Sequence, residues 1–155
     1  MSIATVPLTI LADDREGAPY GFTDLGEVHV IRQRLPTGDY SLPFLTDRVA
    51  ASRKSLLDLY QTVLDPARRM RFEKELARMA LMEAACVVVE GEPHLTIPYP
   101  YTLAHRHVVM GRVKWYRERE RPEWVAIGGR RGAEIVTYSF LMAFRERVNR
   151  EVGHV

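Results

Sequence analysis

Residues 48–65 read RVAASRKSLLDLYQTVLD, and the change of period inside this stretch decides the fold. Up to Lys54 the segment is a short run of small and branched residues, which predicts a strand. From Ser55 onward Leu56, Tyr60 and Val63, with Leu57 and Leu64 beside them, recur at helical spacing, and Ser55 is suited to cap that helix. Asp65-Pro66 restarts the helix, with Asp as cap and Pro at the first helical position. Phe72, Leu76, Met79, Ala80 and Glu83 then mark one face, and Arg68, Arg69, Arg71 and Arg78 decorate the rest. A strand that runs straight into a helix is the unit of a layered α/β fold.

Upstream, LTILAD (8–13) is a short apolar run ending in acid, as expected of a buried strand that delivers Asp13 to an edge or cleft. The loop EGAPYGF breaks it, and EVHVIRQRL (27–35) alternates as a second strand. Pro36-Thr37-Gly38-Asp39 is a turn, after which YSLPFL and RVAASRK (48–54) predict two further short strands in an antiparallel hairpin with the preceding one. Downstream, ACVVVEGE (85–92) is a continuous β-branched run, the pattern of a central strand buried on both faces. A proline-punctuated linker, a basic helix over 102–120, a buried strand EWVAIGG (123–129) and an amphipathic helix over 131–152 complete the chain. That last helix carries Tyr138, Leu141, Val148 and Val152 on one face, with Phe140 and Phe144 beside it. The expected fold class is α/β, a mixed central sheet with helices on both faces, in one domain over 1–155.

The 155 residues include 46% hydrophobic side chains, so one core suffices without disulfides, and the lone Cys86 excludes an intramolecular one. No apolar run approaches the roughly 18 residues of a membrane span. The N-terminus lacks a basic region and a small-residue cleavage site, so a cytoplasmic protein without a membrane partner is expected. Charge is polarised: residues 1–100 hold 11 basic and 14 acidic side chains, residues 101–155 hold 11 and 6. Of the 22 basic residues only Lys54, Lys74 and Lys114 are lysines. Arginine's fork suits phosphate, though codon usage in a GC-rich genome produces the same excess.

Three charged groups at strand ends have no packing explanation: Asp13-Asp14-Arg15-Glu16, Gly38-Asp39, and Ser52-Arg53-Lys54 with Asp58 one helical turn later. Two carboxylates at neighbouring strand ends supply hard oxygens for Mg²⁺, and a nearby Lys orients a water or offsets charge on a scissile phosphate. Restriction-type nucleases hold a divalent ion this way. Asp39 and Lys54 take two of the places, with 14 residues between them, but Ser52 stands two before Lys54.

The segments DDRE (13–16), GDY (38–40) and SRKSLLDL (52–59), followed by VVVEGE (87–92), resemble the XPF-type excision-repair endonucleases. Their nuclease domain carries D-x-R-E, then G-D, then E-R-K-x-x-x-D, and belongs with the restriction-endonuclease-like PD-(D/E)XK proteins. The resemblance places Asp13, Arg15 and Glu16 on the first motif, Gly38 and Asp39 on the second, and Arg53, Lys54 and Asp58 on the third, with Ser52 where the family has Glu. It covers most of the chain and omits the family's helix-hairpin-helix and helicase modules. It implies a metal-dependent endonuclease for branched, flapped or single-stranded DNA, working as a homodimer or with an accessory DNA-binding protein. Mg²⁺ or Mn²⁺ would sit at Asp13, Asp39 and Ser52 with Glu16 nearby, Lys54 would position the attacking water, and Arg15 or Arg53 would contact phosphate.

Ser is a neutral, weak ligand, so Ser52 removes one negative charge from such a site. Asp13 and Glu16 crowding around the ion, Glu90 from the neighbouring strand, or a water on Ser52 could compensate. The alternative is a catalytically inactive relative that binds DNA or a protein. Asp58 is expected to pair with Lys54 at (i, i+4) spacing. Arg106, Arg112, Lys114 and Arg117, with Arg119 and Arg121, face Glu118 and Glu120 along the basic helix, where phosphate contact and a plain solvated face are balanced readings. His105 and His107 point to different helix faces, and Cys86 reads as core. Trp115, Tyr99 and Tyr101 read as packing before base stacking.

Overall fold

The computed structural model describes residues 6–119 and 122–153. Its elements run β1 (Leu8–Asp13), β2 (Val28–Gln33), β3 (Tyr40–Ser41), β4 (Val49–Ser55), α1 (Leu56–Leu64), α2 (Pro66–Ala80), β5 (Ala84–Glu90), α3 (Leu103–Glu118), β6 (Glu123–Ile127) and α4 (Arg130–Gly153). The strands form a six-stranded sheet in the order β2-β1-β3-β4-β5-β6. β1 pairs parallel with β2, β3 pairs antiparallel with both β1 and β4, and β4, β5 and β6 run parallel. α1 with α2, and then α3, are the crossovers that parallel strands require.

The switch from strand to helix at Ser55 is locally encoded. The Ser55 hydroxyl accepts the Asp58 N–H at 3.1 Å, and the Asp65 carboxylate accepts the Ala67 and Arg68 amides at 2.9 and 3.2 Å ahead of Pro66. The two-residue period of the central strands then sorts side chains into two cores. Ala50, Ala85, Val87 and Val89 pack with Leu59, Phe72, Met79, Val109 and Tyr116 of α1–α3. On the other face Ala51, Cys86 and Val88 pack with Leu141 and Phe144 of α4 and with Tyr20 and Phe22 of the β1–β2 loop. Continuing the alternation, Ser52 and Lys54 belong to the α1–α3 face and Arg53 to the α4 face.

Three expectations are corrected. β2 is not part of a hairpin with β3 and β4; it lies at the sheet edge, parallel to β1. The reason is non-local: Tyr20 stacks on Tyr40 at 5.2 Å, and the Phe22 amide donates to the buried Glu134 carboxylate at 2.8 Å. The loop is thereby pinned across the α4 face, and β2 returns in the direction of β1. β6 is an edge strand and only half-buried. Val152 is exposed, because the last turn of α4 runs past the core. Glu120 and Arg121, counted above with the basic helix, lie outside the described residues. Among those residues no helix is long and apolar enough to cross a membrane.

Candidate active site

Backbone pairing brings the first two charged groups together. The Asp13 amide donates to the Asp39 carbonyl at 2.8 Å, and the Asp39 amide to the Ala51 carbonyl at 2.9 Å, so the end of β1, the turn and the middle of β4 are laced side by side. Gly38 makes the turn possible. Its φ is +78°, and a Cβ there would sit 3.0 Å from the Ala50 Cβ and 3.2 Å from the Ala51 carbonyl oxygen.

Asp13 is buried and clasped by Arg15, whose backbone N–H, Nε and Nη2 donate at 2.9, 3.0 and 2.5 Å. Burial pushes its carboxyl up, but the Arg15 bonds and charge outweigh that, and the net shift is downward. Asp39 is the opposite case. It accepts the Arg53 amide at 2.7 Å and lies 3.5 Å from the buried Ser52 hydroxyl. Burial foremost, then the charges of Glu16 and Glu75, push Asp39 up to about 7 against the Arg53 bond and Lys54.

The two basic residues of the third motif part ways. Arg53, only 14% exposed, donates to Glu90 and to the Ala18 carbonyl at 2.8 Å, lies over the Tyr20 ring, and approaches Glu16 at 3.7 Å. Glu90 also accepts the Tyr20 hydroxyl, so it is held in this network. The Lys54 ammonium donates to Thr62 Oγ1 at 3.3 Å and sits 4.6 Å from the Phe72 ring centroid. It does not pair with Asp58, which is exposed; Lys54 instead extends across the sheet face toward α2. Asp14 pairs with Arg34 at the surface.

Two adjoining cavities result. One, of about 240 Å³, is lined by Asp13, Arg15, Glu16, Thr37, Gly38, Asp39, Glu75 and Arg78. The other, of about 330 Å³, is lined by Lys54, Thr62, Arg68, Arg71, Phe72, Glu75 and Arg78. The first is acidic and the second basic, and Glu75 and Arg78 line both. Neither α2 residue was singled out as functional by sequence. The available signal was Glu75 itself: it lies within the Phe72, Leu76, Met79 stripe, where a half-buried charge has no packing role. Among the described residues no three carboxylate, imidazole or thiol groups converge to enclose one ion. The donors present are hard oxygens, and Mg²⁺ needs only one or two carboxylates because it keeps several waters. A water-rich site of that kind fits this cavity.

The α3 residues expected to contact DNA line neither of these two cavities. Arg106 donates to the His94 carbonyl, Arg112 lies 4.0 Å from Glu73, Lys114 pairs with Glu118, and Arg117 is exposed. His105 Nδ1 accepts the Thr102 amide at 3.0 Å, a helix-start role. Tyr101 packs on Tyr60, whereas Trp115 is partly exposed with Arg119 over its ring. Cys86 is a core thiol, pushed up to about 12 by burial.

A mixed sheet with helices on both faces and carboxylates gathered at adjoining strand ends defines a restriction-endonuclease-like α/β domain. The ERCC4 domain model matches residues 12–107, and the chain belongs to that family, a DNA-repair nuclease-type domain. Its fold is that of "XPF from Aeropyrum pernix, complex with DNA": TM-score 0.69, 21% identity, covering 90% of this chain and 66% of that one. A second structure, "XPF from Aeropyrum pernix", gives TM-score 0.67 at 22% identity, covering 87% of this chain and 60% of that one. The chain thus spans less than two thirds of either. Among curated proteins none matches.

Proposed function

We propose that residues 1–155 form one nuclease domain, a metal-dependent DNA endonuclease acting on branched, flapped or single-stranded DNA, and that its setting is cytoplasmic. The observation that carries this reading is the acidic cavity joined to a basic groove through Glu75 and Arg78. Asp39 would hold Mg²⁺ or Mn²⁺ directly, Asp13 and Glu16 would reach the ion through its waters, and Ser52 would contribute a neutral oxygen beside Asp39. A divalent ion bound there supplies charge to the phosphoryl oxygen and acidifies a water.

The rest is the work of this chain's own residues. Lys54, braced by Thr62 and Phe72, positions the attacking water and offsets charge developing on the phosphate. Arg68, Arg71 and Arg78 take phosphates along the groove, where Arg's fork suits them. Arg53 acts as a positioning residue, its amide fixing Asp39 and its guanidinium fixing Glu90. Arg15 fixes Asp13, and Asp58 stays at the rim of α1. Arg106, Arg112, Lys114 and Arg117 make outer backbone contacts. A second copy or an accessory DNA-binding protein extends the grip. The DNA complex of the Aeropyrum XPF is in keeping with a nucleic-acid ligand.

The test is cleavage of a labelled flap and of single-stranded DNA in Mg²⁺ and in Mn²⁺. The unmodified chain is expected to cut, chelation to abolish cutting, and Lys54→Ala to slow it about 100-fold or more. A second reading, a non-catalytic DNA-binding domain, draws on Ser52 and on the clasp that Arg15 keeps on Asp13. Tight binding in chelator with no cleavage in either ion would establish it, and cleavage appearing only in Ser52→Glu would mark a nuclease silenced at that position.

A further inference from the structure

Ser52 and Lys54 share the sheet face that α2 covers, and Glu75, like Arg78, reaches from α2 to the turn below them. Its Oε1 accepts the Gly38 amide at 3.2 Å, one residue from Asp39. It is the acid that lines both the carboxylate cavity and the Lys54 groove. Among the described residues it makes no ion pair, although Arg71 and Arg78 border the same groove; Arg78 donates to Thr37 Oγ1 at 3.2 Å instead. A carboxylate that borders both cavities and pairs with no cationic side chain among the described residues is a hard-oxygen donor suited to a cation.

We infer that Glu75 is a ligand of the divalent cation and supplies from α2 the carboxylate that Ser52 lacks on β4. This rests on the nuclease reading above. It moves one negative charge from strand to helix while keeping the hard-oxygen donor set that Mg²⁺ and Mn²⁺ require. The competing account is that Glu75 only anchors the Gly38 turn. Glu75→Gln separates the two, since it keeps an acceptor oxygen for the Gly38 amide and removes the charge.

The experiment is calorimetric titration of the full chain with MnCl₂, beside circular dichroism to check the fold. Glu75→Gln is expected to bind Mn²⁺ at least tenfold more weakly than the unmodified chain, with Lys74→Gln unchanged. Restoring a carboxylate on β4, in Ser52→Glu with Glu75→Gln, is expected to recover the affinity. If Glu75→Gln binds as tightly as the unmodified chain while Asp39→Asn does not bind, Glu75 is a turn anchor only and the nuclease reading survives. If no form binds Mn²⁺, Ser52→Glu included, both readings fall. Should Glu75→Gln not fold, Ser52→Glu alone decides: affinity within threefold supports Glu75 in that place, and a tenfold gain overturns it.

Discussion

Asp39 sits where stability and chemistry oppose each other. Its carboxyl is pushed up to about 7, by burial first and by Glu16 and Glu75 after it. The folded state therefore holds a proton that the unfolded chain releases near pH 3.8. Between those values the folded state binds more protons, so stability falls as pH rises from about 4 to about 7 and levels off above. Asp39→Asn removes that penalty and keeps an acceptor for the Arg53 amide. It is expected to be more stable than the unmodified chain by on the order of 1–3 kcal/mol at pH 8, a discount on the full shift because the cavity opens to solvent. The gain should vanish at pH 4, and cleavage should be lost at every pH. Urea melts at the two pH values check this; an equal gain at both would mean that Asp39 is not strained by its neighbours. Asp13, Asp39 and Lys54 were legible because charged residues at the ends of apolar runs have no packing explanation. Glu75 was not, since its meaning depends on a turn 37 residues away in sequence touching it.

At the scale of elements, the turn before β3 shows how local chemistry sets the site. Gly38 combines a positive φ with backbone packed against the place where a side chain would go. Gly38→Ala is expected to cost about 2 kcal/mol or more, because the Ala51 carbonyl belongs to a central strand and cannot yield. The substitution should also weaken Mn²⁺ binding, as Asp39 is the next residue. A denaturation midpoint unchanged from the unmodified chain would show that the turn adapts. The starts of α1 and α2 were readable because Ser55, Asp65 and Pro66 encode them in their own side chains, whereas the stripe read on to Glu83 overshoots α2, which ends at Ala80. The place of β2 was not, because strand order is decided by where the preceding loop is pinned. Here Tyr20, Phe22 and Glu134 pin it, and they lie on opposite ends of the chain. The alternating run of β2 is compatible with either neighbour, so its pattern alone carries no order.

For the whole molecule the question is which basic surface carries DNA. The charge excess of residues 101–155 singled out α3, whereas the basic groove beside the carboxylates belongs to α2 and Lys54. On α3 Arg112 and Lys114 already face Glu73 and Glu118, so a phosphate arriving there competes with a carboxylate. Arg71 and Arg78 border the groove beside Glu75 instead, where the proposed function puts the scissile phosphate. Each phosphate neutralised by a cationic side chain releases counterions and steepens the fall of log K with log salt by about 0.7–0.9. Replacing Arg71 and Arg78 by Gln is therefore expected to flatten that slope by about 1.4–1.8 for single-stranded or duplex DNA. Replacing Arg106, Arg112, Lys114 and Arg117 together should flatten it less per residue. Filter binding in chelator between low and moderate salt measures both slopes without requiring cleavage. A larger effect per residue from α3 would move the DNA path to that helix, leaving the α2 groove to hold only the reacting phosphate.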